Sequence, residues 1–251
     1  MTAREFVGST ALVTGATSGI GRAVAVSLAQ RGAHVIVGGR DAARGDAVVT
    51  AIRSAGGKAD LLLGDLADAG SVRAMAQQAT EAGGGHVDIL VNNAAVYPAR
   101  GLTADTTHDD FITCYAVNVE APFLLVAEFC PAMAARGHGT VVNVLSMTAR
   151  FGMPGFALYG SSKAALLLLT KAWAAEFGPR GVRINAVSAG PTRTEGTQAF
   201  GDGLDRLAAA APAGRPAAPE EIAAAITYLA GNHASFVQGA VLDVDGGRNA
   251  T

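Results

Sequence analysis

The chain has 251 residues, of which 50% are hydrophobic, and its formal net charge at pH 7 is −2. This length and apolar content suffice for one large domain with a full core, and they exclude a disordered protein. Because the chain carries no excess of basic residues to meet a phosphate backbone, we expect no nucleic-acid partner.

The composition also bears on where the protein resides. No apolar run comes near the roughly 18 residues that a membrane-spanning helix needs. The first ten residues include an acid and lack a long apolar stretch, so we expect no secretory signal. Cys114 and Cys130 are too few for a disulfide framework. We therefore predict a cytoplasmic protein that contacts no membrane.

Short apolar runs alternate with helical patterns along the whole chain. The predicted strands are residues 10–14, 34–38, 59–63, 89–92, 140–145, 183–187 and 241–244. The predicted helices are residues 19–31, 42–55, 69–81, 109–135, 159–178 and 219–231. Several strands are rich in Val, Ile and Leu without alternation, as strands buried on both faces are. The pattern predicts an α/β fold in which one domain, residues 1–251, forms a doubly wound, Rossmann-type parallel sheet of seven strands with helices on both faces.

Residues 192–219 interrupt this alternation. They are rich in Gly, Ala, Thr and Pro, and they follow a strand at the edge of the sheet where ligands bind in such folds. We interpret this segment as a mobile substrate lid that contains a short helix.

A glycine-rich turn lies between the first predicted strand and the first helix. Gly15 permits a tight turn, Gly19 lets the backbone approach a pyrophosphate, and Gly21 lets the helix pack closely on the sheet. The free N–H groups and positive dipole at the start of the helix favour phosphate. A tight strand–helix turn that binds nothing is the alternative, because a chain with 32 glycines produces such patterns by chance.

A second constellation combines Ser146, Tyr159 and Lys163. The spacing of four residues places the phenol and the ammonium on one face of a helix. Ser146 ends a predicted buried strand, on the ligand side of the sheet. The chain holds three lysines and sixteen arginines, so a Lys at this position suggests that a compact ammonium is required. A solvated Lys beside an amphipathic Tyr is the ordinary alternative.

Taken together, these motifs resemble those of the short-chain dehydrogenase/reductase family, in its single-domain branch of about 250 residues. The resemblance covers nearly the whole chain, and its motifs are T-G-x-x-x-G-x-G at 14–21, Asp65-Leu66, Asn92-Asn93-Ala94, Asn118, Ser146, Tyr159-x-x-x-Lys163, the segment 185–194 and the segment 241–247.

The resemblance implies hydride transfer between a nicotinamide and a substrate carbonyl or alcohol. Tyr159 would donate the proton in reduction and accept it in oxidation, and Ser146 would hold the substrate oxygen. Lys163 would bind the nicotinamide ribose and, with the positive charge of the oxidised ring, lower the phenol pKa. Asn118 would hold a water that relays protons to Lys163; a helix kink bonded to backbone is the alternative.

The predicted cofactor contacts follow the same motifs along the chain. They are Gly15, Thr17, Ser18, Gly19, Ile20, Gly21, Arg40, Asp65, Leu66, Asn92, Ala94, Tyr159, Lys163, Gly190, Thr192 and Thr194. Asp65 is expected near the adenine amine, although it could equally cap a turn.

The end of the second predicted strand bears on cofactor choice. In this fold an acid there binds the adenosine ribose and repels a 2′-phosphate. Here Gly39 takes that position and Arg40 follows it, so we predict NADP(H) in preference to NAD(H). Asp41 leaves two alternatives: it could swing inward to the ribose, or it could cap the next helix while Arg40 points to solvent.

Two residues depart from the family pattern. Ala95 stands where the family usually has Gly, and its methyl group would slightly weaken cofactor binding. Ala189 stands where the family usually has Pro, and it would loosen the turn into the 192–219 segment.

The expected substrate is a small carbonyl compound or alcohol with apolar bulk. The candidate pocket walls are Val96, Tyr97, Leu145, Met147, Phe151, Phe156 and Phe200, some of which could instead belong to the core or to subunit contacts. His108, His138 and His233 have no metal-ligand spacing, so we expect no metal. The resemblance implies a homotetramer that contacts through helices 109–135 and 159–178, with a monomer as the alternative.

The sequence therefore predicts an NADP(H)-dependent carbonyl reductase or alcohol dehydrogenase. Two alternatives remain open: a cofactor-binding regulatory or structural protein without catalysis, and an epimerase or dehydratase that uses the nicotinamide transiently.

Overall fold

The computed structural model describes residues 4–97 and 102–250, so the start of the segment considered for a secretory signal lies outside the described residues. The strands are β1 (Thr10–Val13), β2 (His34–Gly39), β3 (Lys58–Leu63), β4 (Ile89–Asn92), β5 (Gly139–Ser146), β6 (Val182–Ala189) and β7 (Val241–Val244). The helices are α1 (Gly19–Gln30), α2 (Ala42–Ser54), α3 (Ala69–Ala82), α4 (His108–Tyr115), α5 (Ala121–Arg136), α6 (Ala157–Phe177), α7 (Asp202–Ala208) and α8 (Pro219–Ala230).

The seven strands form one sheet in the order β3-β2-β1-β4-β5-β6-β7, and every pair is parallel. This confirms the predicted doubly wound parallel sheet. The strand order reverses between β1 and β4. In such sheets the crevice at the carboxyl ends of the strands beside this reversal binds ligands.

The sheet is covered by helices on both faces. One core cluster contains residues of α1, α2 and α8, such as Leu28 and Ile226. The other contains residues of α3, α5 and α6, such as Phe129. Successive β1 residues serve opposite faces, because Leu12 joins the second cluster and Val13 the first.

The single long helix predicted over residues 109–135 is wrong at its centre. A π-helical turn, Ala116–Glu120, separates α4 from α5. In this turn the N–H of Ala121 donates to the carbonyl of Ala116, five residues back. Such bulges often occur at functional sites. This one contains Asn118, which is buried. Apolar residues continue through the turn, so the helical pattern did not indicate it, and a kink at Asn118 was offered only as an alternative.

The unit His108–Arg136 is long and apolar enough to cross a membrane by length and composition alone. Its most apolar window has a mean hydropathy of 1.3, and 44% of that window is buried inside the protein. Leu125, Phe129 and Met133 pack in the second core cluster. These contacts are those of a core helix.

The 192–219 segment contains the short helix that the sequence predicted, which is α7. Thr192 at its start forms an isolated parallel bridge with Ala217 near its end. The two ends of the segment are therefore held together beside the carboxyl end of β6. Its mobility stays a prediction.

Candidate active site

Ser146, Tyr159 and Lys163 line one cavity of about 230 Å³ at the carboxyl ends of β5 and β6, which we call the Tyr159 cavity. Ser146 is the last residue of β5. Tyr159 and Lys163 lie in the first two turns of α6, one turn apart. The short connection between β5 and α6 brings the three side chains to the same place.

Lys163 is almost fully buried, with 2% of its surface exposed. Its Nζ donates to the carbonyl of Val144 at 2.9 Å and lies 5.7 Å from the centre of the Tyr159 ring. Burial lowers the pKa of Lys163 from 10.5 to about 8. The carbonyl of Val144 therefore holds the ammonium near the face of the Tyr159 ring.

Burial also raises the pKa of the Tyr159 phenol, and the neighbouring Cys114 and Tyr97 raise it further. This differs from the expectation that Lys163 lowers it. The chain's own residues favour the neutral phenol, because desolvation outweighs an ammonium that is already bonded to Val144. A lowered phenol pKa thus depends on charge brought by a ligand.

Ser146 is the N-cap residue of a short 3₁₀ turn, Met147–Ala149. Its Oγ accepts hydrogen bonds from the backbone N–H of Thr148 at 3.2 Å and from the Thr148 hydroxyl at 2.9 Å. Thr148 is buried and also lines the cavity.

Asn118 is fully buried behind the cavity. Its Oδ1 accepts from the N–H of Val96 at 2.8 Å, and its Nδ2 donates to the Val96 carbonyl and to Ser162 Oγ, both at 3.0 Å. The side chain thus pins the loop after β4 to the π-helical turn, which matches the alternative of a kink bonded to backbone. Its part in a proton relay stays a prediction.

An aromatic wall borders the cavity. The Tyr97 ring meets Tyr159 edge-on at 5.0 Å between centroids, and it contacts Phe156 at 5.3 Å and Phe200 at 5.5 Å. The other expected wall residues that line this cavity are Leu145 and Met147. Two expected wall residues lie elsewhere: Val96 lines the neighbouring cleft, and Phe151 packs under the Arg248 guanidinium at 4.7 Å.

A second cavity, of about 320 Å³, lies at the carboxyl ends of β1 and β2 and contains the glycine-rich turn. Gly15 has φ +64°, and a Cβ there would lie 2.9 Å from Ala94 Cα. A larger residue at this position would be strained and would meet the turn after β4. We call this cavity the dinucleotide cleft.

The dinucleotide cleft is continuous with the Tyr159 cavity, because both are lined by Ile20, Asn93, Ala95, Thr194 and Gly196. The predicted cofactor contacts that line the cleft are Gly15, Thr17, Ser18, Gly19, Ile20, Gly21, Arg40, Asp65, Leu66, Ala94 and Thr194. Those that line the Tyr159 cavity are Tyr159, Lys163, Gly190, Thr192 and again Ile20 and Thr194.

Asn92 lines neither cavity. It is 2% exposed in the sheet interior, where its Nδ2 donates to Asn143 Oδ1 at 2.9 Å. Its neighbour Asn93, which belongs to the same motif but was not among the predicted cofactor contacts, donates from Nδ2 to the carbonyls of Thr14 at 2.8 Å and Gly15 at 3.2 Å. Asn93 therefore ties the turn after β4 to the glycine-rich turn, and the adjacent Asn pair was the only signal for it.

The charged end of the cleft contains Arg40 and Arg44, the second of which the sequence did not single out. Asp41 caps α2 by accepting from the Arg44 N–H at 3.0 Å, and it pairs with Arg44 Nε at 2.8 Å. The bond from the Arg44 N–H, followed by the charge of Arg44, lowers the pKa of the Asp41 carboxyl. The carboxylate is thus engaged as a helix cap. At Gly39 a Cβ would collide with the Thr17 methyl group.

Three smaller predictions concern Asp65, Ala95 and Ala189. Asp65 lines the cleft, and its Oδ1 accepts from the Ala67 N–H at 3.0 Å. It therefore caps a turn, which was the alternative reading, and its contact with adenine stays a prediction. Ala95 places its methyl where both cavities meet. Ala189 is the last residue of β6, paired with Ser146. It is therefore part of the sheet, and a looser turn into the 192–219 segment stays a prediction.

The amino end of α1 already binds an anion. Glu195, in the 192–219 segment, accepts from the Gly19 N–H at 2.9 Å and pairs with Arg22 at 2.7 Å. The bonds from its own backbone N–H and from Gly19, together with Arg22, lower the pKa of this carboxyl. A carboxylate bound here shows that the turn accommodates the kind of oxyanion that a dinucleotide pyrophosphate presents. The residues of the cleft therefore fit a dinucleotide.

Comparison with known proteins places the chain among oxidoreductases. A family model described as enoyl-(acyl carrier protein) reductase matches residues 15–249. An uncharacterized oxidoreductase of Thermotoga maritima is 38% identical over 98% of this chain and 99% of its own. A solved short chain dehydrogenase/reductase family protein is 47% identical, with a TM-score of 0.91 over 98% of this chain and 100% of its own. A solved short chain dehydrogenase from Burkholderia cenocepacia, in complex with NADP, is 35% identical, with a TM-score of 0.90 over 98% of this chain and 99% of its own.

Proposed function

This chain belongs to the short-chain dehydrogenase/reductase family of oxidoreductases, and we propose that it interconverts a ketone or aldehyde with an alcohol, using NADP(H) and Tyr159 as the general acid and base. The observation that carries this proposal is the continuity of two cavities. The dinucleotide cleft opens directly into the cavity that holds Ser146, Tyr159 and Lys163.

The bound nicotinamide would supply or accept the hydride. The chain's own residues then handle the substrate oxygen, which gains negative charge as the carbonyl carbon is reduced. Tyr159 gives that oxygen a proton, and Ser146 donates a hydrogen bond to it. In oxidation the Tyr159 oxygen takes the proton back. Lys163 holds the nicotinamide ribose, and Asn118 takes part in proton relay to it.

The preference for NADP(H) over NAD(H) is supported by the charges at the adenosine end of the cleft. Arg40 and Arg44 are both cationic and exposed there. The carboxylate of Asp41 accepts from the Arg44 N–H and pairs with the Arg44 side chain, which holds it as the cap of α2. Two guanidinium groups next to a position without an acid suit a 2′-phosphate.

The substrate is proposed to carry apolar bulk. The described residues that line the Tyr159 cavity include no Asp, Glu or Arg, and Lys163 is the only charged residue among them. The aromatic wall of Tyr97, Phe156 and Phe200 supplies a surface on which rings or alkyl chains pack. A substrate with a charged group near its carbonyl would lose its hydration and would find, among the described lining residues, Lys163 alone as a charged partner.

Cytoplasmic location and a homotetramer complete the proposal. Exposed apolar side chains on α4, α5 and α6 support subunit contacts through these helices: Phe111, Ile112, Phe123 and Leu168. Sedimentation equilibrium of the purified protein checks the tetramer, and a monomer at micromolar concentration would contradict it.

The test of the reaction is a panel of aldehydes and ketones, from charged to apolar, assayed by the loss of NADPH absorbance. We expect turnover of apolar members, with one NADPH consumed for each alcohol formed. Tyr159→Phe should reduce kcat by at least about 100-fold while leaving the Kd for NADPH unchanged. Tyr228→Phe, at an exposed position on α8, is the matched control.

Two results would favour the other functions. Tight NADPH binding with no turnover of any compound indicates a binding protein. Product formation without net NADPH consumption indicates an epimerase or dehydratase.

A further inference from the structure

The hydroxyl oxygen of Ser146 receives two hydrogen bonds from a single residue. The Thr148 backbone N–H donates to it at 3.2 Å, and the Thr148 side-chain hydroxyl donates at 2.9 Å. A serine hydroxyl has two acceptor lone pairs and one proton to donate. Thr148 therefore fills both acceptor positions, and the only hydrogen-bonding capacity left to Ser146 is its own O–H.

We infer that Thr148 is a positioning residue that fixes Ser146 as a hydrogen-bond donor toward the substrate oxygen. This inference rests on the proposed function, in which Ser146 meets that oxygen. An unrestrained serine hydroxyl rotates and can donate or accept. With both lone pairs engaged, the O–H of Ser146 is left to point into the cavity that it lines.

A fixed donor determines the direction of proton movement in the site. In reduction the substrate carbonyl oxygen accepts from both Ser146 and Tyr159, and the Tyr159 proton is the one transferred. In oxidation the alcohol oxygen still accepts from Ser146, so the alcohol O–H has to donate to Tyr159. Ser146 cannot divert that proton, because its lone pairs are occupied by Thr148.

The surroundings of Thr148 suit this role. The residue is only 6% exposed, so water competes little for its hydroxyl. Its carbonyl lies against Gly160, where a Cβ would stand only 2.9 Å from the Thr148 oxygen. Gly160 directly follows Tyr159, so the first turn of α6 rests on the same residue that orients Ser146. Thr148 thus contacts both the Ser146 hydroxyl and the helical turn that carries Tyr159, so it helps to set the distance between the two hydroxyls.

The test compares Thr148→Val, which keeps the side-chain shape but removes the hydroxyl, with Thr148→Ser, which keeps it. For the best ketone of the panel, we expect Thr148→Val to lower kcat about tenfold, with KM and the NADPH Kd within twofold of the wild type. Thr148→Ser should restore kcat to within about threefold. A loss that appears in KM alone, or that Ser does not rescue, would overturn the inference.

A double-mutant cycle distinguishes positioning from a structural effect. In the Ser146→Ala background, Thr148→Val should change kcat less than twofold, because it acts through a hydroxyl that is no longer there. A tenfold loss that persists in that background would mean that Thr148 acts independently of Ser146. If Ser146→Ala and Tyr159→Phe both left turnover unchanged, the proposed reaction site itself would fail, whatever Thr148 does.

A measurement without turnover covers the case in which Ser146→Ala is too slow to assay. The same ketone is bound with NADP⁺, which cannot reduce it, and its C=O stretch is recorded by infrared difference spectroscopy. We expect the C=O stretch to shift to lower frequency in the wild type. In Thr148→Val and Ser146→Ala this shift should be smaller than in the wild type, and the two variants should give about the same shift. An unchanged shift in Thr148→Val would contradict the inference.

Discussion

The carboxylate of Glu195 lies 2.9 Å from the backbone nitrogen of Gly19, whose N–H it accepts at the start of α1. Glu195 belongs to the 192–219 segment, so this bond joins that segment to the glycine-rich turn. A helix amino terminus attracts anions, and here the chain's own carboxylate binds it. A dinucleotide that brings its phosphates to the same turn has to share or displace this contact.

The first prediction concerns the charge of Glu195. Replacing Glu195 by Gln keeps an oxygen that can accept from Gly19 and removes the negative charge next to the phosphate position. We expect the Kd for NADPH to fall about threefold, as removal of a charge near a helix terminus produces. Fluorescence titration of NADPH measures this at low ionic strength, and the difference should shrink in high salt.

Glu81→Gln is the matched control, because it makes the same charge change at an exposed position on α3. It should leave the Kd unchanged. Weaker NADPH binding by the Glu195→Gln variant would show that the carboxylate holds the 192–219 segment over the bound dinucleotide instead of competing with it.

The second prediction concerns the two arginines of the cleft. Arg40→Ala and Arg44→Ala should each raise the Kd for NADPH about tenfold or more, because each removes charge-assisted bonds to a 2′-phosphate. The Kd for NADH should change less than twofold. Arg73→Ala on α3 provides an exposed control. Equal effects on both dinucleotides would mean that these arginines do not meet the 2′-phosphate.

The third prediction is a reversal of cofactor choice. Gly39→Asp places an acid at the position that binds the adenosine ribose in this fold. Its Cβ would collide with the Thr17 methyl group, so the single substitution should weaken binding of both NADPH and NADH. Adding Thr17→Ser removes that methyl, and the double variant should bind NADH more tightly than NADPH. Preference for NADPH in the double variant would contradict this.

The fourth prediction concerns the pH dependence of stability. Burial lowers the pKa of Lys163 from 10.5 to about 8, so between these pH values the unfolded chain binds the proton and the folded chain does not. The contribution of Lys163 therefore increases the free energy of unfolding as pH rises past 8, and at pH 9.5 the increase over low pH is about 2 kcal/mol.

Denaturant unfolding of the wild type and Lys163→Met at pH 7, 8 and 9.5 measures this gain. The stability of the wild type relative to the variant should increase with pH, since other titrating groups cancel in the difference. A constant or falling difference would show that the Lys163 pKa is not lowered by burial.

The fifth prediction concerns the Tyr159 phenol. Burial raises its pKa above the usual 10, so the phenolate absorbance that distinguishes the wild type from Tyr159→Phe should not develop below pH 10 in the protein alone. Addition of NADP⁺ should move this absorbance to lower pH, because positive charge near the phenol favours its ionised form. NADPH, whose nicotinamide ring is neutral, should move it much less. The same titration curve with both would contradict the role of the ring charge.

Several elements could be predicted directly from local sequence. The glycine-rich turn, the buried Val- and Ile-rich strands and the spacing from Tyr159 to Lys163 all express short-range rules of backbone conformation and helix periodicity. The composition and position of the 192–219 segment led to the expectation of a short helix within it, which α7 confirms. The sequence offered a helix kink at Asn118 only as an alternative to a proton relay. The hydrogen bond from Val96 to Asn118 joins residues 22 positions apart, so the local pattern of apolar residues could not reveal it.

The sequence by itself determined the strand–helix alternation and the identity of the side chains at the carboxyl ends of the strands, since each of these depends on residues near one another in the chain. The parallel sheet followed from that alternation, because a helix between two strands carries the chain back to start the next strand in the same direction. Only the tertiary structure decided that Asn93 rather than Asn92 faces the cleft, that Glu195 reaches Gly19, and that Lys163 is bonded to Val144 instead of exposed. These outcomes depend on packing between elements far apart in sequence. Burial in that packing is the main cause of the shifts in the pKa values of Tyr159 and Lys163. Cys114 and Tyr97, which the same packing brings close, add to the rise of the Tyr159 pKa.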